Sequence, residues 1–268
     1  MEIYKDIVYS EDFSTCYGPE NKCPKTVEIH KDCKLITQSA FAGTAIEKII
    51  LPKDFGLIGW SAFKRSALKE INLEDTNTTE IGINAFYGCK NLKDIYAPST
   101  LKYINRSAFR DSGLVNVNLS NSDLREIEEH VFECCHNLQS VSLPKTLLAI
   151  RGYAFFDSNI SSLTLPNNLQ YFTFDSIFQT NIEELFLPKS LKDFTPLFPK
   201  VTSEEISSLK KISYTELSDE IKNVIINYIN KNNLDIKFEQ AKLDDLIKNA
   251  GTFKQINDFY KEKNKEDR

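Results

Sequence analysis

The chain has 268 residues, a formal net charge of −5, 41% apolar and 26% charged residues, and nine Gly and nine Pro. That balance describes a packed chain and excludes a disordered or low-complexity one. The acidic excess excludes non-specific attraction to phosphate backbones or anionic lipid, so no nucleic acid partner is expected. The N-terminus shows no basic region followed by an apolar stretch, and no apolar run approaches the ~20 residues that span a bilayer. The expectation is a cytoplasmic protein without membrane insertion, export by a signal-free route aside.

Residues 1–23 read as a degenerate first repeat that closes one end of an array. Tyr4, Ile7 and Tyr9 take strand positions, Ser10 to Phe13 parallels Pro52 to Phe55, and Gly18-Pro19 reads as a turn. Residues 24–200 carry the array itself. An Ala-Phe phrase recurs as Ala40-Phe41, Ala62-Phe63, Ala85-Phe86, Ala108-Phe109, Val131-Phe132, Ala154-Phe155 and, degraded, Ser176-Ile177, at steps of 22, 23, 23, 23, 23 and 22. Ahead of each phrase stands an aliphatic or aromatic residue: Ile36, Ile58, Ile81, Ile104, Ile127, Ile150, Phe172 and then Phe194. Self-similarity at such a period marks a solenoid, in which each repeat buries its apolar face only against its neighbours.

One repeat shows the chemistry. In Leu138 to Leu143 the apolar residues alternate, so Val141 and Leu143 point inward while Ser140 and Ser142 point out. Pro144 lacks an N–H and ends the ladder. Leu147 and Ile150 turn back inward, and Ala154-Phe155 forms a short helical or irregular turn opposite the strand. The corresponding strands end on inward Ile29, Leu51, Leu73, Ala97, Leu119, Leu143, Leu165 and Leu187. This pattern, L-x-x-I-x-L-P followed by an aliphatic, Ala-Phe, and Cys or Ser three residues later, resembles the BspA-like leucine-rich repeat family, also called the Treponema pallidum type. The resemblance covers residues 4–198. It implies an α/β solenoid with one parallel-sheet face used for binding proteins, host matrix proteins in some secreted members, and no catalytic residues.

After residue 200 the period stops, and residues 201–268 read as an α-helical cap or docking segment. A capping box spans residues 202–205. Leu217, Ile221, Val224, Ile225, Tyr228 and Ile229 have helical spacing, as do Leu243, Leu246, Ile247 and Ala250. A second capping box at residues 252–255 opens a helix with Ile256, Phe259 and Tyr260.

The six cysteines invite a metal reading. Cys16, Cys23, His30 and Cys33 offer three thiolates and an imidazole. Their spacing misses the usual C-x2-4-C, however, and Cys33 falls in the inward column of Phe55, Leu101, Leu147 and Leu169, Cys16 in that of Ile58. Cys89 and Cys135 share a slot with Thr44, Ser66, Ser112, Ser158 and Thr180, which asks for a small side chain. The expectation is reduced, metal-free core thiols. Cys134 lies outside that column, and His136 has no Asp or Asn orienter legible in the sequence. No catalytic, cofactor or metal site is expected.

Binding is expected on the outward strand positions. One column holds Ile50, Tyr96, Asn118, Ser142, Thr164 and Phe186, with Val8 at its start; beside it run Asp94 and Asn116, with Asp6 at the start. Ile50, Tyr96 and Phe186 put apolar groups where folding needs none, and exposed aromatics are common interface anchors. The leading expectation is a non-enzymatic protein-interaction scaffold. The alternatives are a surface or secreted adhesin and a component of a larger assembly docked through its C-terminal helices.

Overall fold

The computed structural model describes residues 1–194, 206 and 208–241. Within them the chain winds as a β-solenoid whose successive turns stack through parallel backbone ladders. The first ladder face uses the expected strands. It comprises three three-stranded parallel sheets: Thr26–Glu28, Lys48–Ile50 and Glu70–Ile71; Asp94–Tyr96, Asn116–Asn118 and Ser140–Ser142; and Glu184–Leu187, Lys211–Tyr214 and Lys237–Gln240. Residues 162–164, read as a strand, form none, although Leu163 and Leu165 still bury their side chains.

The expected single parallel-sheet face is corrected by a second ladder. Leu35–Ile36, Leu57–Ile58, Glu80–Ile81 and Tyr103–Ile104 pair in parallel, as do Glu126–Ile127, Ala149–Ile150 and Tyr171–Phe172. These strands are two residues long, too short to display an alternation, so the sequence shows them only as a column of aliphatic residues.

From Ala40-Phe41 to Ala154-Phe155 the phrases are hydrogen-bonded turns, and the degraded Ser176-Ile177 closes a short 3-10 helix, Phe174–Ile177. Each Phe N–H donates to the carbonyl of the residue before the next Phe: Phe41 to Ala62 at 2.7 Å, Phe86 to Ala108 at 2.7 Å, Phe132 to Ala154 at 2.8 Å. Holding this geometry requires left-handed backbone on both sides of the phrase, at Ser39, Ser61, Asn84, Ser107, His130 and Tyr153 before it and at Gly43, Arg65, Gly88, Asp111, Cys134, Asp157 and Gln179 after it. Such conformations cost non-glycine residues free energy and persist where ladder bonds over-determine them. Inside, Phe41, Phe63, Phe86, Phe109, Phe132 and Phe155 form a continuous stack, centroids 5.1–5.7 Å apart and planes within 11°. The small residue beside each Phe lets the turns approach this closely.

The N-terminal copy departs from the repeat. Glu2–Tyr4 and Ile7–Tyr9 form an antiparallel hairpin, with Lys5 and Asp6 at φ 49° and 64°, the signature of a tight two-residue turn. Asp6 therefore lies in a turn and Val8 in the second sheet, so neither heads the outward columns. Gly18-Pro19 is likewise strand, not turn: Thr15–Pro19 runs antiparallel to Ile7–Tyr9 and parallel to Leu35–Ile36. Gly18 sits at φ 105°, and a Cβ there would meet the Ala40 carbonyl oxygen at 2.1 Å. The hairpin thus converts an exposed parallel edge into a folded-over one.

Beyond Leu187 the first ladder continues although the period does not. Its last three strands start at residues 184, 211 and 237, steps of 27 and 26 in place of the 22 or 24 between earlier neighbours. Helix α1, Asp219–Lys231, is the crossover between the final two, a length that parallel pairing demands. The Ser218 side chain caps it by accepting from the Ile221 N–H at 3.3 Å. Ile221, Ile225, Tyr228 and Ile229 are buried, with Tyr228 edge-on to Phe174; Val224, counted on the apolar face from its spacing, is exposed. The helices read at residues 202–205, 243–250 and 252–260 lie outside the described residues.

Candidate functional site

The first ladder face is positioned by strand alternation. Val27, Ile49, Ile95, Val117 and Leu185 point inward and are buried, which turns their neighbours outward. Ile50, Tyr96 and Phe186 are 37%, 44% and 38% exposed. Asn118 and Ser142 stand in register between the two aromatics, and Thr164 is exposed on the rung that lacks ladder pairing. At ~4.8 Å per rung, Tyr96 and Phe186 are about 19 Å apart.

The polar strip between them is internally bonded. Asn116 Nδ2 donates to Asp94 Oδ1 at 2.8 Å, and Ser140 Oγ donates to Asn116 Oδ1 at 2.9 Å. Asn118 Oδ1 accepts from both the backbone N–H and the hydroxyl of Ser120. Nearer the N-terminus the outward charges pair across turns: Lys5 with Glu28 at 2.8 Å, and Lys48 with Glu70 at 2.6 Å. At the strand edge, the ammonium groups of Lys25 and Lys69 hold the Glu47 carboxyl down to about 2. The face therefore carries charge-neutralised flanks and a polar strip bracketed by exposed apolar side chains.

The second face was not legible as a surface. Tyr103 and Tyr171 are 58% and 41% exposed in the outward column that also holds Leu35, Leu57, Glu80, Glu126 and Ala149. The Arg151 guanidinium hydrogen-bonds Glu126 and lies 6.0 Å above the Tyr171 ring. Treating the residue before each aliphatic as a strand position would have exposed this column.

The thiols divide as their columns imply. Burial pushes Cys16 and Cys135 up to about 12, and Cys33 and Cys89 up to about 11. Cys89 and Cys135 donate to the carbonyls of Phe63 and Phe109 one turn earlier, at 2.9 and 3.2 Å. Cys16, Cys23, His30 and Cys33 do not converge; His30 instead stacks on Phe13 at 4.3 Å. Among the described residues the donor set that does converge is Cys134, His136 and Asp157, whose ligand atoms lie within 4.8 Å of one another. Asp157 is the orienting carboxylate that sequence order conceals, because it stands one turn further along.

Among solved structures, a leucine-rich repeat protein from Bacteroides ovatus aligns with 80% of this chain and 71% of its own, at 21% identity and a TM-score of 0.61. A leucine rich cell surface protein from Faecalibacterium prausnitzii aligns with 81% of this chain and 72% of its own, at 13% identity and a TM-score of 0.57. Both share the fold. No curated protein matches the chain. The model of the BspA type leucine rich repeat region, in six copies, matches residues 20–123, 79–198 and 125–258. Those matches overlap across the whole ladder, so the stacked turns and their Ala-Phe column have one source: the chain belongs to the BspA-type leucine-rich repeat family.

Proposed function

We propose that this protein is a non-enzymatic interaction module that seats a partner protein on its first ladder face, with Tyr96 and Phe186 as anchors. The observation that carries this reading is the exposure of those two rings on a face whose outward positions contribute nothing to the core. Ile50 extends the apolar contact. Asp94, Asn116, Asn118, Ser142 and Thr164 supply the polar strip, of which Asp94, Asn116 and Asn118 are already ordered by hydrogen bonds and so cheap to present to a partner. The buried thiols of Cys89 and Cys135 act as hydrogen-bond donors in the reduced state, which favours a reducing compartment such as the cytoplasm.

An adhesin reading is favoured by the Faecalibacterium neighbour described as a cell surface protein. Docking into a larger assembly through the C-terminal segment is favoured by Val224 and Ile226, both exposed on α1.

The test is capture of a partner from the native source, followed by affinity measurements on variants. Tyr96→Ala and Phe186→Ala are each expected to weaken binding by about 2 kcal/mol or more with little change in stability. Normal binding by both, with loss in Tyr103→Ala or Val224→Asp, would move the site to the second face or to α1.

A further inference from the structure

The slot two residues after each Phe, and after Ile177 in the last phrase, runs Gly43, Arg65, Gly88, Asp111, Cys134, Asp157 and Gln179, all in left-handed backbone. Cys134 and Asp157 are therefore neighbours on adjacent turns, although 23 residues separate them. His136, four residues after Phe132, reaches across the same gap, with Nε2 3.0 Å from Asp157 Oδ2. Lys90 makes the equivalent crossing to Asp111, Nζ to Oδ1 2.5 Å. The difference lies in the slot beside the crossing: in the earlier turn it holds Gly88, which brings no donor, and here it holds Cys134.

We propose that Cys134, His136 and Asp157 constitute a zinc site, binding the ion through sulfur, imidazole nitrogen and carboxylate oxygen with a fourth position left to water. The donor set selects the metal. Thiolate and imidazole suit zinc, whereas calcium and magnesium take oxygen ligands. The three donor atoms lie within 4.8 Å of one another. Zinc bond lengths of about 2.0–2.3 Å at tetrahedral angles place donors about 3.5 Å apart, so the set closes by rotation of side chains. The side chains have room to turn, since those of His136 and Asp157 are 59% and 40% exposed. The backbone beneath is fixed, the Cys134 and Asp157 N–H groups donating to Phe156 and Phe178 carbonyls at 2.8 and 3.0 Å. Zinc binds cysteine as the thiolate, so the Cys134 thiol proton passes to solvent on binding.

The experiment uses the full chain without an affinity tag, reduced with a phosphine and stripped with chelator, then titrated with cobalt as the spectroscopic probe. The expected result is one cobalt per chain, with a thiolate-to-cobalt charge-transfer band that one equivalent of zinc discharges. Cys134→Ser abolishes the band, and His136→Ala and Asp157→Asn each weaken cobalt binding roughly tenfold or more. Cys23→Ser, at the other partly exposed thiol, leaves it unchanged. Absence of the band in the native chain overturns the proposal, as does a band that survives Cys134→Ser. Should Cys134→Ser fail to fold, the two variants at exposed positions decide the matter, and unaltered binding in both reduces the site to a lone thiol.

Discussion

Phe86 and Phe109 lie with ring centroids 5.1 Å apart and planes within 2° of parallel, the tightest step in a stack that runs through six consecutive turns. Each ring is fully buried and stacks on the rings of the adjacent turns, so the column is the sequence period expressed as packing. A solenoid of this kind is stabilised by nearest-neighbour interfaces, and a gap at one step weakens both adjoining interfaces.

Phe109→Ala is therefore expected to cost about 3–5 kcal/mol through loss of burial and the cavity left in the stack. Chemical denaturation measures it. A loss below about 1 kcal/mol would mean that neighbouring rings collapse into the space.

Ser176 occupies the Ala position of the phrase, fully buried, and its Oγ has no hydrogen-bond partner. Ser176→Ala removes a desolvated hydroxyl and restores the residue used in five of the six preceding phrases. The expected gain is about 1 kcal/mol, read as a shift in denaturation midpoint without a change in slope. A loss of stability would indicate a water-bonded hydroxyl.

The buried thiols make the fold sensitive to base. Their folded values of about 11 to 12 exceed the ordinary value of about 8.5. The folded chain thus holds protons that the unfolded chain releases, so stability is complete below pH ~8.5 and falls as pH rises toward 11–12. Each thiol contributes up to about 1.4 kcal/mol per pH unit within that window. Melting temperature is expected to fall from pH 8 to pH 10, less steeply in a Cys89→Ser, Cys135→Ser double variant. A flat profile would show that the thiols are accessible to solvent. Alkylation at pH 8 should label Cys23 and Cys134 ahead of Cys16, Cys33, Cys89 and Cys135.

Leu185 and Leu187 are covered by a ladder that continues in register, Leu185 to Ile212 and Leu187 to Tyr214. Truncation after Lys200 removes that cover and leaves an apolar parallel edge. The fragment is expected to aggregate or to melt well below the full chain. A monomeric fragment of equal stability would make the C-terminal segment an independent module.

The sequence by itself determined the solenoid, because a buried column repeats at the period of the turn and Phe41 to Phe155 state that period outright. It likewise determined the outward placement of Tyr96, Asn116 and Phe186, since a strand of three or four residues still alternates. The second ladder was concealed by brevity: a two-residue strand such as Leu57–Ile58 has no alternation to show, and its identity rests on backbone bonds to adjacent turns. The N-terminal hairpin depends on Lys5 and Asp6 adopting positive φ, which neither residue type announces. Past Leu187 the ladder persists while the turns lengthen, so a search by period ends before the sheet does. The Cys134, His136 and Asp157 cluster is a property of stacking alone: turns about 4.8 Å apart bring together groups some twenty residues apart in the chain. Period is written along the chain, whereas contact across turns exists only once the chain has wound.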